Sequence, residues 1–76
     1  MKSYLLYAVR GLVEHPRAVT IGEIAGAQTS VFEVRCHADD RGRLIGRNGR
    51  TIGALRTLAH ASAQRHHRRA ILELAE

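Results

Sequence analysis

Apolar residues recur at helical spacing near the beginning of the chain. Four of them lie three or four positions apart, as residues on one face of a helix do: Leu5, Ala8, Val9 and Leu12. Ser3 is available as the N-cap, and Pro16 would end the helix. Tyr4 and Tyr7 lie on the same segment, and we expect these aromatic rings to pack against the core, with base stacking as the alternative.

Two segments after this helix have the composition and alternation of strands. The stretch RAVTIGEIAGAQTS is rich in β-branched residues and glycine, and SVFEVRCH places Phe32, Val34 and Cys36 on one face. This pattern predicts two strands joined near Gly26 to Ser30. The three alternate residues would face the core, which makes Cys36 a small buried hydrophobe rather than a nucleophile.

The second half of the chain predicts two helices and a strand. Asp39 or Asp40 can cap a short helix that carries Leu44 and Ile45, and the stretch GRNG then interrupts it. A longer helix begins at Arg50, and its buried side follows helical spacing: Ile52, Leu55, Ala59 and Ala63. The tail RRAILELAE alternates apolar and polar residues and predicts a third strand.

These elements follow the order α-β-β-α-α-β. Such an order predicts an α+β fold with two layers, in which three helices cover one face of a three-stranded sheet. A chain of 76 residues is too short to divide into two units that each bury enough surface to fold. We therefore expect residues 1–76 to form one domain.

Positive charge is concentrated in the second half of the chain. The formal net charge is +5, yet no acidic residue lies between Asp40 and Glu73, whereas eight arginines do. A domain this asymmetric indicates a polyanionic partner, with nucleic acid favoured over a membrane surface. A solvated basic face with no partner is the alternative interpretation.

Several classes of protein are disfavoured by the sequence. The single cysteine cannot form an internal disulfide, which indicates a reduced, cytoplasmic protein. The apolar run from Tyr4 to Val9 is too short for a signal peptide or a membrane span. No C-x-x-C or H-x-x-x-H pair and no set of nucleophile, base and orienting residue occurs. We therefore predict no metal site, no cofactor and no enzymatic activity.

The stretch RLIGRNGR combines flexible and cationic residues between the two predicted helices. Gly46 and Gly49 have no side chain to hold a ligand away from the backbone, and they let the chain turn sharply. The amide groups that begin the next helix favour a phosphate there. Arg47 can pair with phosphate and Asn48 can donate a neutral hydrogen bond, and neither requires a particular base.

The segment LIGRNGRTI resembles the signature of the KH domain, in which an apolar residue and isoleucine precede G-x-x-G and a further apolar residue follows. The element order resembles the bacterial, type II arrangement over essentially the whole chain. A single domain of this length, with HADDRGRLIGRNGRTIGALRTLAHA in its second half, is similar to the small bacterial KhpA family of RNA-binding proteins.

The resemblance implies a function and a set of site residues. In KH domains the G-x-x-G loop clamps the sugar-phosphate backbone of about four single-stranded nucleotides, and the bases lie in a narrow apolar groove. The resemblance thus assigns the clamp to the tetrapeptide 46–49. It implies that Ile45 and Ile52 line or support the groove, and that Arg43 and Arg50 add charge at its edge.

The resemblance also implies partners. The chain would bind single-stranded RNA as an RNA chaperone or post-transcriptional regulator, and it would pair with a second copy or with a KhpB-like (Jag) RNA-binding protein. Such proteins influence cell division and envelope growth in bacteria. A protein-interaction or ribosome-associated assembly factor that keeps the KH shape is the alternative. Arg47 favours the first interpretation because it keeps the loop cationic.

Overall fold

The computed structural model describes residues 2–75, and its elements follow the predicted order. The helices are α1 (Lys2–Arg10), α2 (Arg41–Ile45) and α3 (Arg50–Gln64). The strands are β1 (Thr20–Ala25), β2 (Thr29–Arg35) and β3 (Arg69–Leu74). Short 3-10 turns at Pro16–Ala18, Ala38–Asp40 and Arg47–Gly49 lie in the connections.

The three strands form one mixed sheet in the order β1-β2-β3. β1 and β2 form an antiparallel hairpin, with Ile21 opposite Val34. β2 and β3 are parallel, with Phe32 opposite Leu72. A parallel pair requires a long crossover connection, which α2 and α3 provide here. The loop between these two helices is therefore carried by the crossover.

One face of the sheet is covered by the three helices. Its inward-facing side chains form a single cluster with apolar residues from every helix, including Leu5, Leu44 and Leu55. The four predicted residues of α3 are all buried, namely Ile52, Leu55, Ala59 and Ala63. The prediction of a two-layer α+β fold with the helices on one face is confirmed.

The other face of the sheet carries a row of aliphatic side chains. Ile24 lies opposite Val31, and Val31 lies opposite Ile71, so the row crosses all three strands. Ile24 is 72% exposed and Ile71 is 41% exposed. We call this row, Ile24, Val31 and Ile71, the open-face row.

The first helix is shorter than the sequence predicts. It already includes Ser3, which is therefore not the N-cap, and it ends at Arg10 rather than near Pro16. The Leu12 amide donates to the carbonyl oxygen of Val9 at 3.0 Å, which is the tighter bond of a helix that is ending. The side chain of Leu12 is consequently left 45% exposed.

The prediction that the two tyrosines pack in the core is wrong. Tyr4 is 58% exposed and Tyr7 is 82% exposed. Helix α1 buries Leu5 and Val9, which lie one turn apart. Leu6 and Ala8 pack partly against the core beside this stripe. Tyr4 and Tyr7, which are three residues apart, lie together on the opposite side of the helix and point to solvent.

Cys36 lies one residue beyond β2 and packs against the core while remaining partly exposed. Burial raises the pKa of its thiol, the charge of Arg41 acts in the opposite direction, and that of Asp40 adds to the rise. A thiol with a raised pKa is a poor nucleophile at neutral pH. This agrees with the predicted structural role, although the side chain is less buried than expected.

Candidate nucleic-acid interface

Gly46 ends α2 in a backbone conformation that essentially only glycine adopts. Its φ of 76° and ψ of 169° lie in the region closed to side chains. The Gly46 amide donates to the carbonyl oxygen of Gly42 at 2.9 Å, which fixes the turn. A Cβ atom at Gly46 would lie 2.8 Å from the backbone nitrogen of Thr51. The first glycine is therefore required by both its dihedral angles and a close approach.

Gly49 has a different role in the same loop. Asn48 and Gly49 both adopt the left-handed conformation, with φ angles of 57° and 74°. Asparagine tolerates this conformation better than most residues, and glycine adopts it without strain. Apart from Gly49 itself and its chain neighbours, no atom of residues 2–75 lies within 4 Å of the position that a Gly49 Cβ would occupy. The second glycine thus turns the chain and leaves the space in front of the loop open.

Helix α3 begins directly after this loop without a side-chain cap. Gly49 occupies the N-cap position, and no acidic residue lies in the first turn. The first amide groups of a helix lack intrahelical partners and carry partial positive charge. An anion approaching the open side of the loop would meet these donors.

The arginines around the loop differ in their availability. Arg47 and Arg50 are exposed, and neither has a hydrogen bond to a side chain or an ion pair within residues 2–75. The guanidinium of Arg43 instead pairs with Glu14 at 2.7 Å and lies 3.6 Å from a carboxylate oxygen of Asp40. Two of the three predicted loop arginines are therefore free to meet a ligand directly.

Other arginines between Asp40 and Glu73, the part of the chain without acidic residues, hold the fold together. The guanidinium of Arg56 donates to the carbonyl oxygen of Leu72 at 3.2 Å. Arg68 donates to the carbonyl oxygen of Gly26 at 3.0 Å and to the hydroxyl of Ser30 at 2.9 Å. Arg41 donates to the carbonyl oxygen of Ala75. The cationic surface is consequently smaller than the count of arginines suggests.

Asp40 anchors the connection between α1 and β1 to the start of α2. Its side chain is buried, and its two carboxylate oxygens accept the amide hydrogens of Glu14 at 3.1 Å and His15 at 3.0 Å. The predicted cap is wrong, since Asp40 occupies the N-cap position of α2 but makes no capping hydrogen bond. Its carboxylate is already used by the neighbouring loop.

Competing effects act on the pKa of Asp40. Burial favours the neutral form and raises the pKa, but the two backbone hydrogen bonds together with the charges of His15 and Arg43 outweigh it. The pKa therefore lies below its ordinary value, and the anchor is a carboxylate at neutral pH.

We expect Asp40→Asn to lower the melting temperature by roughly 5–20 °C, because an amide has one acceptor oxygen for two part-buried backbone donors and brings its own N–H groups towards them. The matched control is Asp39→Asn, the same change at the neighbouring side chain, which is 77% exposed. Thermal unfolding followed by circular dichroism measures both. Equal melting temperatures for the two variants would show that the anchor contributes nothing.

A cleft lies between α3 and β3. It has a volume of about 470 Å³, and its walls include Arg56 and His60 on the helix and residues 69–73 on the strand. Because α3 leads into β3 through a short turn, the two elements run in opposite directions. The amino end of α3, with the glycine loop, therefore lies at the carboxyl end of β3. Ile45 is 39% exposed beside the loop, whereas Ile52 is buried in the core.

The element order, with a G-x-x-G turn joining the two helices of the crossover, defines a KH domain of the type II arrangement. The chain matches the family model described as KhpA/KhpB, KH domain, over residues 2–74. It therefore belongs to the KhpA/KhpB family of KH domains.

Named relatives resemble the chain over its whole length. It is 41% identical over 76 residues to the RNA-binding protein KhpA of Chlamydia pneumoniae, covering 100% of this chain and 97% of the relative. The RNA-binding protein KhpA of Chlamydia trachomatis serovar D is 40% identical with the same coverage. That of Halalkalibacterium halodurans is 34% identical, and both chains are covered completely. No solved structure gives a significant match to this chain.

Within residues 2–75, no helix is both long enough and apolar enough to cross a bilayer.

Proposed function

We propose that this protein binds single-stranded RNA by clamping the sugar-phosphate backbone at its glycine loop, and that it acts as an RNA chaperone or post-transcriptional regulator. The observation that carries the proposal is the open loop backbone next to two exposed arginines, Arg47 and Arg50, without acidic partners in the described chain. The names of the relatives, which are RNA-binding proteins, support it.

The residues of the loop have separate roles in this proposal. Gly46 and Gly49 bring the backbone close to a phosphate, and the open space in front of Gly49 leaves room for it. Arg47 forms an ion pair with a phosphate, and Asn48 donates a neutral hydrogen bond to it. Arg50, at the start of α3, adds charge next to the helix amides.

The residues around the loop complete the proposed interface. Ile45 presents an apolar surface to the first base, and Ile52 supports the loop from within the core. Arg43 contributes charge at the edge of the site, weakened by its ion pair with Glu14. The cleft between α3 and β3 would receive the following bases. Aliphatic walls and an arginine can pack against the faces of the bases. Because every base has such a face, this kind of contact tolerates many sequences.

The proposal predicts weak binding with a strong dependence on salt. Arg47 and Arg50, together with the weaker contribution of Arg43, neutralise about two or three phosphates, so affinity should fall roughly 7- to 18-fold between 50 and 200 mM salt. Fluorescence anisotropy of a labelled single-stranded RNA pool across a salt series measures this, with a duplex DNA of equal length for comparison. Salt-independent binding, or tighter binding to the duplex, would contradict the proposal.

A second binding site would raise the affinity without further contacts in either site. We propose that a second copy of this chain supplies it through the open-face row. Arg69 and Glu73 lie on the same face as Ile71, two positions before and after it. In a two-fold pair whose axis runs along the row, Arg69 of each copy faces Glu73 of the other, so charge and apolar contacts are self-complementary.

Sedimentation equilibrium of the purified chain tests this pairing. A monomer at all concentrations would leave a KhpB-like (Jag) protein as the source of the second site, and the same measurement with that protein added would detect it.

We also propose that residues 1–76 act as a single KH domain in the cytoplasm, by binding rather than by catalysis. The family match over residues 2–74 and the names of the relatives support this proposal.

A further inference from the structure

Two histidines from different connections meet at the end of the molecule where α1 leads into β1. The rings of His15 and His37 are stacked, with centroids 4.1 Å apart and planes inclined by 24°. His15 precedes the turn before β1, and His37 follows β2. The sequence predicted no metal site because its histidines lack the spacing of metal ligands, and this pair forms only when the two connections come together.

A carboxylate completes a set of three metal-ligand side chains. One nitrogen from each ring and one carboxylate oxygen of Asp39 all lie within 4.8 Å of one another. The Nδ1 atom of His37 lies 3.6 Å from Oδ2 of Asp39. Within residues 2–75, these three are the His, Cys, Asp or Glu side chains whose possible ligand atoms lie this close together. Two imidazoles and a carboxylate form a donor set suited to divalent zinc and its neighbours.

The backbone around the three side chains is already held in place. The amide of His15 donates to the buried carboxylate of Asp40 at 3.0 Å. The amide of Asp39 donates to Nδ1 of His37 at 3.1 Å, so this nitrogen presents its lone pair on the side where Asp39 lies. A metal ion bound at Nδ1 would replace that one hydrogen bond and leave the Asp40 anchor unchanged.

The surroundings of the three side chains leave room for an ion. Glu14, Asp39 and Asp40 lie at this corner, and because Arg43 pairs with Glu14 and lies 3.6 Å from Asp40, Asp39 is the one of these three carboxylates left to meet a cation. An adjoining cavity of about 370 Å³ leaves room for water to complete the coordination. It is lined by Glu14, His15, Pro16, Arg17, Ala18 and His37.

We propose that His15, His37 and Asp39 bind a divalent transition metal ion of the zinc type. Bonds of 2.0–2.2 Å in a tetrahedral site would set the ligand atoms about 3.3–3.6 Å apart, so the ligand atoms must close by at most about 1.5 Å. Because the stacked rings hold their in-plane lone pairs nearly parallel, the His37 ring must rotate out of the stack to share an ion with His15. His37 and Asp39 are exposed and can rotate in this way, since their side chains are 43% and 77% accessible. Water occupies the fourth position.

Such an ion would join the connection before β1 to the connection before α2. Because α2 carries the glycine loop at its other end, the ion would stabilise the scaffold of the loop without contacting RNA. The metal site is independent of the proposed RNA-binding function, and each can fail without the other.

The test is the melting temperature of the tag-free chain in a zinc titration, with magnesium as the comparison. At free Zn²⁺ ten times its dissociation constant, mass action predicts a rise of roughly 5–10 °C for a domain of this size. Magnesium should give no rise, because it prefers oxygen ligands. A chelator should reverse the effect of zinc.

Variants locate the site. His15→Ala and His37→Ala should each abolish the rise, and the matched control His66→Ala, at an exposed histidine of the turn before β3, should keep it. Each variant is compared with itself in the absence of zinc, so a lower starting stability does not confuse the result. Separately, NMR of the wild-type chain should show the His15 and His37 imidazole signals shifting together on zinc addition. No rise in the wild type, or a rise that persists in both alanine variants, overturns the proposal.

Discussion

The double variant Arg47→Asp, Asn48→Asp is expected to weaken binding of single-stranded RNA by at least about 30-fold while leaving the fold intact. Each side chain is exposed, and neither makes a side-chain contact that the fold requires within residues 2–75. Aspartate also tolerates the left-handed conformation of residue 48. A charge-assisted hydrogen bond to phosphate contributes about 1.5–3 kcal/mol, and the new carboxylates add repulsion.

The control for this variant has the same change in net charge at the far end of α3. Gln64→Asp, Arg65→Asp replaces an amide and an arginine, both exposed, about 20 Å from the loop along a helix of 15 residues. Fluorescence anisotropy at one low salt concentration compares the two variants, and circular dichroism verifies that both are folded. Equal loss in both would mean that net charge alone drives binding. No loss in either would favour the protein-interaction alternative.

Gly46→Ala is expected to destabilise the fold by about 2–4 kcal/mol. The methyl group would be forced into a backbone region that costs 1–3 kcal/mol, and it would lie 2.8 Å from Thr51 backbone nitrogen. Removing the side chain of Thr51 cannot relieve this contact, because the nitrogen belongs to the first turn of α3. The loop, or the start of the helix, must therefore move.

Gly49→Ala is the matched comparison three residues later. Its φ of 74° is also strained for alanine, at roughly 1–2 kcal/mol, but apart from its chain neighbours the new methyl group would meet no atom of the described chain within 4 Å. Urea unfolding of the two variants and the wild type should therefore give Gly46→Ala a clearly lower free energy of unfolding than Gly49→Ala. Equal stabilities would contradict the assignment of separate roles to the two glycines.

Local patterns determined most of the secondary structure. The alternation in β3 and the helical spacing in α3 each specify which side chains turn inward, because a strand repeats every two residues and a helix every 3.6. The prediction placed the start of α3 at Arg50, where the structure has it. The end of α1 was predicted too late, since the apolar spacing continues to Leu12, whereas Gly11, a poor helix former, directly follows the last helical residue, Arg10.

The chemistry of the loop could also be anticipated from its residues. Two glycines between helices and a basic residue between them indicate a turn that a phosphate can approach. The sequence could not distinguish the glycines, because the clash at Gly46 arises from Thr51 and the open space at Gly49 from the arrangement of both helices. It could not find the exposed tyrosines either, since exposure depends on how α1 meets the sheet.

By itself, the sequence determined the order of the elements, the faces that they bury, the position of the glycine loop and the excess of positive charge. The tertiary structure decided which arginines remain available. Arg47 and Arg50 stay exposed, whereas Arg56 and Arg68 are bound to carbonyl oxygens of distant strands or turns. Only the fold brings His15 to His37 and buries Asp40 beneath them. The physical reason is that periodicity acts between neighbours along the chain, while these contacts join residues that are far apart until the core has formed.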